Sequence, residues 1–314
     1  MIPKKSVDVV IPCWNGRAFL DVCLTSLKRQ FYKDFTVIVV DNGSTDGSTT
    51  FVRENYPEVK LILLGRNTNF SGAVNAGIKV AKGDYVALLN QDTEADPRWL
   101  EQLIKTFESH PEIDFCASKL LYFKERDIID SAGDGFLRGG ASFKIGSGER
   151  DGGKFRVPRE IFGACAAASI YRRVFFDRVG LFDDDLGDQS TDGDLNFRAQ
   201  LLGLRCFFVP TAIVYHHVGA SIAVGSPGFI FRTNRNAVIT IIKNYPLGLL
   251  SRNILMIALV FFSTLWIYPH PISAIRGRFE ALRRLPYFFK KRKEIQKKRI
   301  VSLERLNTMM SRHP

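Results

Sequence analysis

Thr36-Val37-Ile38-Val39-Val40-Asp41-Asn42-Gly43-Ser44 is a run of five β-branched residues that stops abruptly at turn formers. An apolar run without polar alternation belongs to a strand buried on both faces, as in a parallel sheet covered by helices. Reading outward, the pattern recurs. Upstream lies Val7–Ile11, followed over residues 17–30 by Phe19, Leu20, Cys23, Leu24 and Leu27 at a helical period. Downstream, Asp46 or Ser48 is placed to cap a helix reaching about Asn55. A strand over Val59–Leu64, a helix over 71–81, a strand over Tyr85–Leu89 and a helix over 96–109 follow. Pro97 falls in the first turn of that last helix, where its missing N–H costs nothing. This alternation predicts an α/β fold with a mostly parallel central sheet flanked by helices. Ligands of such sheets bind outside the carboxyl ends of the strands, which directs attention to the segments after Ile11, Val40, Leu64 and Leu89.

The remainder is less regular. Residues 122–160, rich in Gly, Arg and Asp, read as a long irregular excursion, and residues 162–181 return to apolar and small types. An acidic stretch (Asp183, Asp184, Asp185, Asp188) precedes a helix from about Asp192 to Leu202 that Gly203 ends. Cys206–Val209 and Ala212–Tyr215 read as two short strands parted by Pro210 and Thr211. From Pro227 the alternation ceases. Residues 254–268 are almost wholly apolar, short of the roughly 20 residues a spanning helix needs, with Trp266 and Tyr268 at one end. Beyond them Ile275, Phe279, Leu282, Leu285, Phe288 and Phe289 are interleaved with Arg and Lys, as in an interfacial helix.

Composition narrows the class. At 46% hydrophobic and 24% charged, with 25 Gly and 13 Pro, the 314-residue chain is neither disordered, collagen-like nor a polytopic membrane protein. Five cysteines without a C-x-x-C pair fit a reducing compartment. The amino-terminal residues lack a signal-peptide pattern, so the expectation is a protein that is not secreted. Residues 271–314 hold thirteen lysines and arginines against three acids, and thus ten of the formal net charge of +12. Such a basic end seeks a polyanion, and the apolar run before it favours anionic lipid over nucleic acid.

The four post-strand segments carry amides and carboxylates: Asn15, Asp41, Asn67, and Asn90-Gln91-Asp92-Thr93-Glu94. Asp41 suits a ribose hydroxyl or base N–H, Asn15 and Asn67 can both donate and accept, and Asp92 suits a hard divalent cation bridging phosphate oxygens.

Taken in order, these segments resemble the family 2 glycosyltransferases of the GT-A fold, and in particular their rhamnosyltransferase-like branch. The resemblance covers residues 6 to about 245. It rests on Val9-Val10-Ile11-Pro12 with Asn15, Val39-Val40-Asp41-Asn42-Gly43-Ser44-Thr45-Asp46-Gly47-Ser48, Asn69-Phe70-Ser71-Gly72-Ala73-Val74-Asn75-Ala76-Gly77 and Leu89-Asn90-Gln91-Asp92-Thr93-Glu94. It continues through Gly163-Ala164-Cys165, Tyr171-Arg172-Arg173, Gly180-Leu181-Phe182-Asp183, Thr191-Asp192-Gly193-Asp194-Leu195 and His216-His217-Val218-Gly219-Ala220-Ser221.

The resemblance implies an inverting transfer from a dTDP- or UDP-linked sugar, rhamnose first, to a hydroxyl of a lipid-linked cell-surface saccharide. It implies that Pro12, Asn15, Asp41 and Asn67 hold the nucleoside, with Gly163, Ala164 and Asp151 along the sugar and acceptor pocket. Asp92 stands at the metal-binding carboxylate of the family's D-x-D motif, whose first acid is Asn90 here. His216 or His217 stands where a further ligand to Mg²⁺ or Mn²⁺ is expected. Asp192 matches the general base, with Thr191 in place of the usual Glu before it and Asp188 and Asp194 in reserve. The implied layout is a GT-A domain over residues 1–226, with a donor half to about 95 and an acceptor half over 96–226. Residues 227–314 then form a helical region attaching through 254–312 to the anionic cytoplasmic face of the cell membrane. A UDP-hexose transferase and a non-catalytic sugar-nucleotide-binding scaffold are the alternatives. A nucleotidyltransferase is disfavoured because Pro12-Cys13-Trp14-Asn15-Gly16-Arg17 has no glycine run.

Overall fold

In the computed structural model, which describes residues 5–219 and 224–311, the four apolar runs are four strands. β1 (Val7–Cys13), β2 (Phe35–Asp41), β3 (Lys60–Leu63) and β4 (Tyr85–Leu89) alternate with α1 (Arg17–Lys28), α2 (Ser48–Asn55) and α3 (Asn69–Val80). All their pairings with one another are parallel, in the order β3-β2-β1-β4. The unbroken apolar character of β1 has a direct cause. Val9 and Ile11 pack into one hydrophobic layer with Leu20, Leu24, Leu103 and Phe107, while Val10 packs into the opposite layer with Val74, Phe175 and Leu195.

The chain continues through β5 (Thr93–Ala95), α4 (Trp99–Ser109), β6 (Phe115–Tyr122), β7 (Ile129–Ser131), β8 (Asp134–Phe136), β9 (Ser142–Lys144), β10 (Arg159–Ile161), β11 (Ala168–Arg172), α5 (Val174–Val179), α6 (Thr191–Leu201) and β12 (Cys206–His216). β11 runs antiparallel between β4 and β6, and β12 lies parallel to β6, so the sheet is mixed but mostly parallel. The excursion over 122–160 is not irregular. It holds β7, the β8–β9 hairpin, a 3-10 turn at Gly153–Arg156 and the start of β10, and it buries Ile129, Asp130, Phe136 and Phe155. Its strands are three residues long, too short to show a period among glycines. The two strands expected around Pro210 are one, β12, whose register against β6 slips between Val209 and Ile213 to pass the proline.

The carboxyl-terminal helices are α7 (Pro227–Asn244), α8 (Leu247–Arg252), α9 (Ile254–Ile267), α10 (Pro271–Arg283), α11 (Leu285–Lys297) and α12 (Leu303–Met309). They are built onto the body. Tyr245, Leu249, Leu306 and Met310 share a core with Phe136, Phe162 and Phe197. The acidic stretch receives the basic helix: Lys291 bonds Asp183 at 2.6 Å and Asp185 at 2.5 Å, and Arg284 bonds Asp185 at 2.6 Å. Among the described residues no helix is long and apolar enough to cross a membrane. The first four residues, Ala220 and Ser221 of the last quoted motif, and Arg312 of the basic tail lie outside the described residues.

Candidate active site

The carboxyl ends of β1, β2 and β4 border a cleft of about 860 Å³, closed on its far side by the β9 strand, the amino end of α6 and α7. It is lined by Pro12, Trp14, Asn42 and Asn67, by Asn90, Asp92, Asp130 and His216, and by Asp134, Ala166, Ser190 and Asp192. Phe143, Lys144, Phe229 and Arg232 line it as well.

Asp92 and His216 meet because β5, just beyond Asp92, pairs antiparallel with the end of β12, setting Thr93 opposite His216. His216 Nε2 lies 3.4 Å from Asp92 Oδ1, and His216 Nδ1 lies 2.8 Å from Asp130 Oδ2. Lys144 Nζ donates to the other oxygen of Asp130 at 2.6 Å. Burial alone would lower the pKa of His216, but the hydrogen bonds of Asp130 and then Asp92 outweigh it and raise the imidazole to about 9. Burial likewise pushes against the charge on Asp130, yet its bonds to His216 and Lys144 keep it below the usual carboxylate range. His217 is turned away. Its ring stacks on Phe123 with centroids 3.6 Å apart, and the His217 backbone N–H donates to the Asp92 carbonyl at 2.9 Å. Adjacent ligands of an octahedral Mg²⁺ sit about 3 Å apart given metal–oxygen distances near 2.1 Å. The Asp92–His216 pair, with Asp130 orienting the imidazole from behind, fits that geometry.

Asp192 sits in the first turn of α6, and its carboxylate accepts from Gly193 N–H at 2.9 Å and Ala166 N–H at 3.5 Å. Two residues on, about 200° round the helix, Asp194 points inward and is fully buried. It binds Lys243 Nζ at 2.8 Å, Arg198 Nε at 2.9 Å and Asn244 Nδ2 at 2.8 Å. Burial opposes its charge, but Lys243 and Arg198 hold it well below the usual range. Asp194 is therefore an anchor for α7 and no candidate base. Asp188 lines the cleft, although one oxygen accepts from Phe70 N–H at 2.8 Å.

Of the residues singled out in the sequence, Pro12, Asn67, Asn90, Asp92, Asp192 and His216 line this one cleft. Asn15, Asp41, Gly163 and Ala164 do not; they build its walls. Asn15 Oδ1 accepts from Thr45 N–H at 2.9 Å and Asp41 from the Gly43 and Ser44 N–H groups at 3.3 Å, fixing the loops after β1 and β2. A side chain at Gly163 would place a Cβ 2.1 Å from Asn196 Cγ, and Ala164 N–H donates to Asn196 Oδ1 at 3.2 Å. Asp151 neutralises the buried ammonium of Lys119 at 2.8 Å, away from the cleft. All five cysteines are buried thiols, and burial pushes Cys13 up to about 11.

A model of glycosyl transferase family 2 matches residues 8–180 of this chain. The chain is a family 2 glycosyltransferase. It is 30% identical over 227 residues to protein y4gI of Sinorhizobium fredii, covering 68% of this chain and 25% of that protein. It is 28% identical over 225 residues to the amylovoran biosynthesis glycosyltransferase AmsB of Erwinia amylovora, covering 68% of this chain and 70% of the relative. This chain thus spans a quarter of the first relative's length and over two thirds of the second's. The structure of GalNAc-T7 with UDP, GalNAc and Mn²⁺ superposes with a TM-score of 0.64 at 16% identity, over 92% of this chain and 57% of that one. The fold is GT-A.

Sequence reasoning missed several residues of this glycosyltransferase. Gln91 clamps the loop after β1, its Oε1 accepting from Trp14 N–H at 3.0 Å and its Nε2 donating to Trp14 carbonyl at 3.1 Å. The indole of Trp14, 41% exposed, is thereby held at the cleft. Arg235 and Asn236 of α7 hold the loop before α6 by donating to the carbonyls of Leu186 and Gln189, among others. The only advance signal for them was the position of the Arg-Asn pair after the His216 segment, which has no chemistry of its own. Asp130 and Asp134 fell in the supposed excursion.

Proposed function

We propose that this chain transfers a sugar, with inversion, from a nucleoside diphosphate to an acceptor hydroxyl, and that the acceptor belongs to a growing cell-surface polysaccharide. The observation that carries this reading is that Asp92, paired with His216, and Asp192 open onto one cleft of about 860 Å³, large enough for a nucleotide sugar. Trp14, Pro12 and Asn67 receive the nucleoside. Asp92 and His216 Nε2 hold Mg²⁺ or Mn²⁺, with Asp130 fixing the ring. Charge on the departing diphosphate is offset by that cation when it is bound. Asp192 takes the proton of the acceptor hydroxyl from the face opposite the leaving group. The branch resemblance favours dTDP-rhamnose as donor, with UDP-hexoses next, and the name of AmsB supports a polysaccharide acceptor.

The acceptor is reached at a membrane surface in this reading, on the cytoplasmic face. Support comes from α9 and α10, which expose Leu255 (79%), Leu259 (66%), Phe262 (60%), Trp266 (90%), Ile272 (71%) and Phe279 (63%). An apolar patch of this kind needs a cover. Arg276, Arg283, Lys290, Lys293, Lys297 and Lys298 are exposed nearby in sequence, whereas Arg284, Lys291 and Arg305 are paired with acids of the body.

The test is a screen of dTDP-rhamnose and UDP-hexoses for binding and slow hydrolysis, with and without Mn²⁺, in the wild type and in Asp92→Ala. One donor bound and hydrolysed only with Mn²⁺, and lost in Asp92→Ala, is expected; no binding of any sugar nucleotide overturns the reading. For the membrane, Leu259→Glu with Phe262→Glu should abolish sedimentation with anionic vesicles without unfolding the protein, because both side chains are exposed. Unchanged sedimentation rejects that attachment.

A further inference from the structure

Asp134 lines the cleft yet is only 4% exposed, at the start of β8. Oxygens of Asp134 and Asp192 and the thiol of Cys165 lie within 4.8 Å of one another. Among the described residues, Lys144, Asp130 and Asp192 are the charged groups acting on Asp134. Lys144, its register partner on β9, carries its ammonium to Asp130. Asp130 and Asp192 are themselves acids, and Cys165 is a buried thiol whose ionisation burial suppresses. Among the described residues, the Asn196 amide donates to Asp134 Oδ2 at 3.3 Å. Two carboxylates this close, one of them buried and with the nearby ammonium of Lys144 bonded to Asp130, favour holding one proton over ionising together.

The geometry decides which one holds the proton. Asp192 has two backbone N–H donors and the amino end of a helix, both of which stabilise an anion. Asp134 is the more buried of the two and has one long amide contact. We propose that Asp134 is a positioning residue: a neutral carboxylic acid that donates its proton in a hydrogen bond to Asp192 and so keeps Asp192 ionised and aimed at the acceptor. Burial, and next the charge of Asp192, push Asp134 well above the ordinary carboxylate range, in keeping with this.

The inference rests on the reading of Asp192 as general base. In the step itself the acceptor O–H bond breaks and its proton passes to Asp192. The freed oxygen bonds to the anomeric carbon as the bond from that carbon to the diphosphate oxygen breaks, and the electron pair leaves with the diphosphate. Asp134 keeps its own proton throughout. Asp192 returns the transferred proton to water once product departs.

Infrared difference spectroscopy of the full chain at neutral pH tests the protonation directly and needs no substrate. A protonated-carboxyl band present in the wild type and missing in Asp134→Asn is expected, and no difference between the two overturns the proposal. Turnover of the nucleotide sugar found in the donor screen gives the second arm. Asp134→Asn, whose amide still donates, should stay within about tenfold of wild type, against the ~10²–10⁴-fold loss in Asp192→Asn. Asp134→Ala should move the acid limb of the pH–rate profile to higher pH, a shift that a merely structural residue would not cause. If Asp134→Asn is as inactive as Asp192→Asn, the inference fails and Asp134 belongs among the catalytic residues. Full activity in Asp192→Asn would instead overturn the assignment of the base.

Discussion

Two groups of acids face the same cleft and are wired in opposite ways. Around His216, two carboxylates are matched by cations: the imidazole bridges Asp92 and Asp130, and Lys144 supports Asp130 from the other side. Around Asp192, a second carboxylate, Asp134, lies close by, and Lys144, the cation whose charge acts on it, is bonded to Asp130 instead. In the proposed reading, a divalent cation taking the place of the imidazole proton in the first cluster would raise its charge by one, which the two acids there would offset. In the second, Asp134 would hold one proton against Asp192. Nearly the same residue types would then yield a cation seat in one place and an acid–base pair in the other.

The largest effect that would break this contrast is at Asp192. Asp192→Asn should lower transfer by ~10²–10⁴-fold while leaving donor affinity unchanged, as measured by steady-state kinetics beside donor titration. An equal loss of donor affinity would place Asp192 in the donor site instead. Next is Asp130→Asn, which touches no substrate but removes the orienting partner of His216. Mn²⁺ affinity should fall by about 10–100-fold in a calorimetric titration.

The protonated His216 sets a smaller, graded effect. Its pKa is raised to about 9 in the metal-free protein, and the cation must displace that proton. Mn²⁺ affinity should accordingly rise by about tenfold per pH unit below that value and level off above it. A flat dependence would show that the imidazole is not a ligand. The smallest effect belongs to Lys144→Gln. Its ion pair is one-third exposed on the lysine side but fully buried on the Asp130 side, and His216 remains bonded to Asp130, so urea denaturation should show a loss of about 1–3 kcal/mol.

The same contrast marks how far the sequence could be read. β1, β2 and β4 announced themselves because each is an apolar run that ends in turn chemistry, and both signals are local to the chain. Pro12, Asn67, Asn90, Asp92 and Asp192 were legible as residues of the cleft for a related reason, since they stand after strands or at a helix start, on the rim where a parallel sheet opens. The β7–β9 region was opaque because three-residue strands carry no period, and with it went Asp130 and Asp134. The basic tail was legible in charge alone. Its pairing of Arg284 and Lys291 with Asp183 and Asp185 depends on α11 folding back over the body.

By itself, then, the sequence determined the parallel half of the sheet, the rim on which ligands gather and the acids that stand there. Only the tertiary structure decided that His216 rather than His217 faces Asp92, that Asp194 points inward, and that Asp41 supports the rim instead of lining it. The reason is the range of the forces involved. Helical period and turn chemistry act between neighbours, whereas the charge state and aim of a buried acid are set by whatever the fold brings against it. For His216 and Asp130 that partner is 86 residues away.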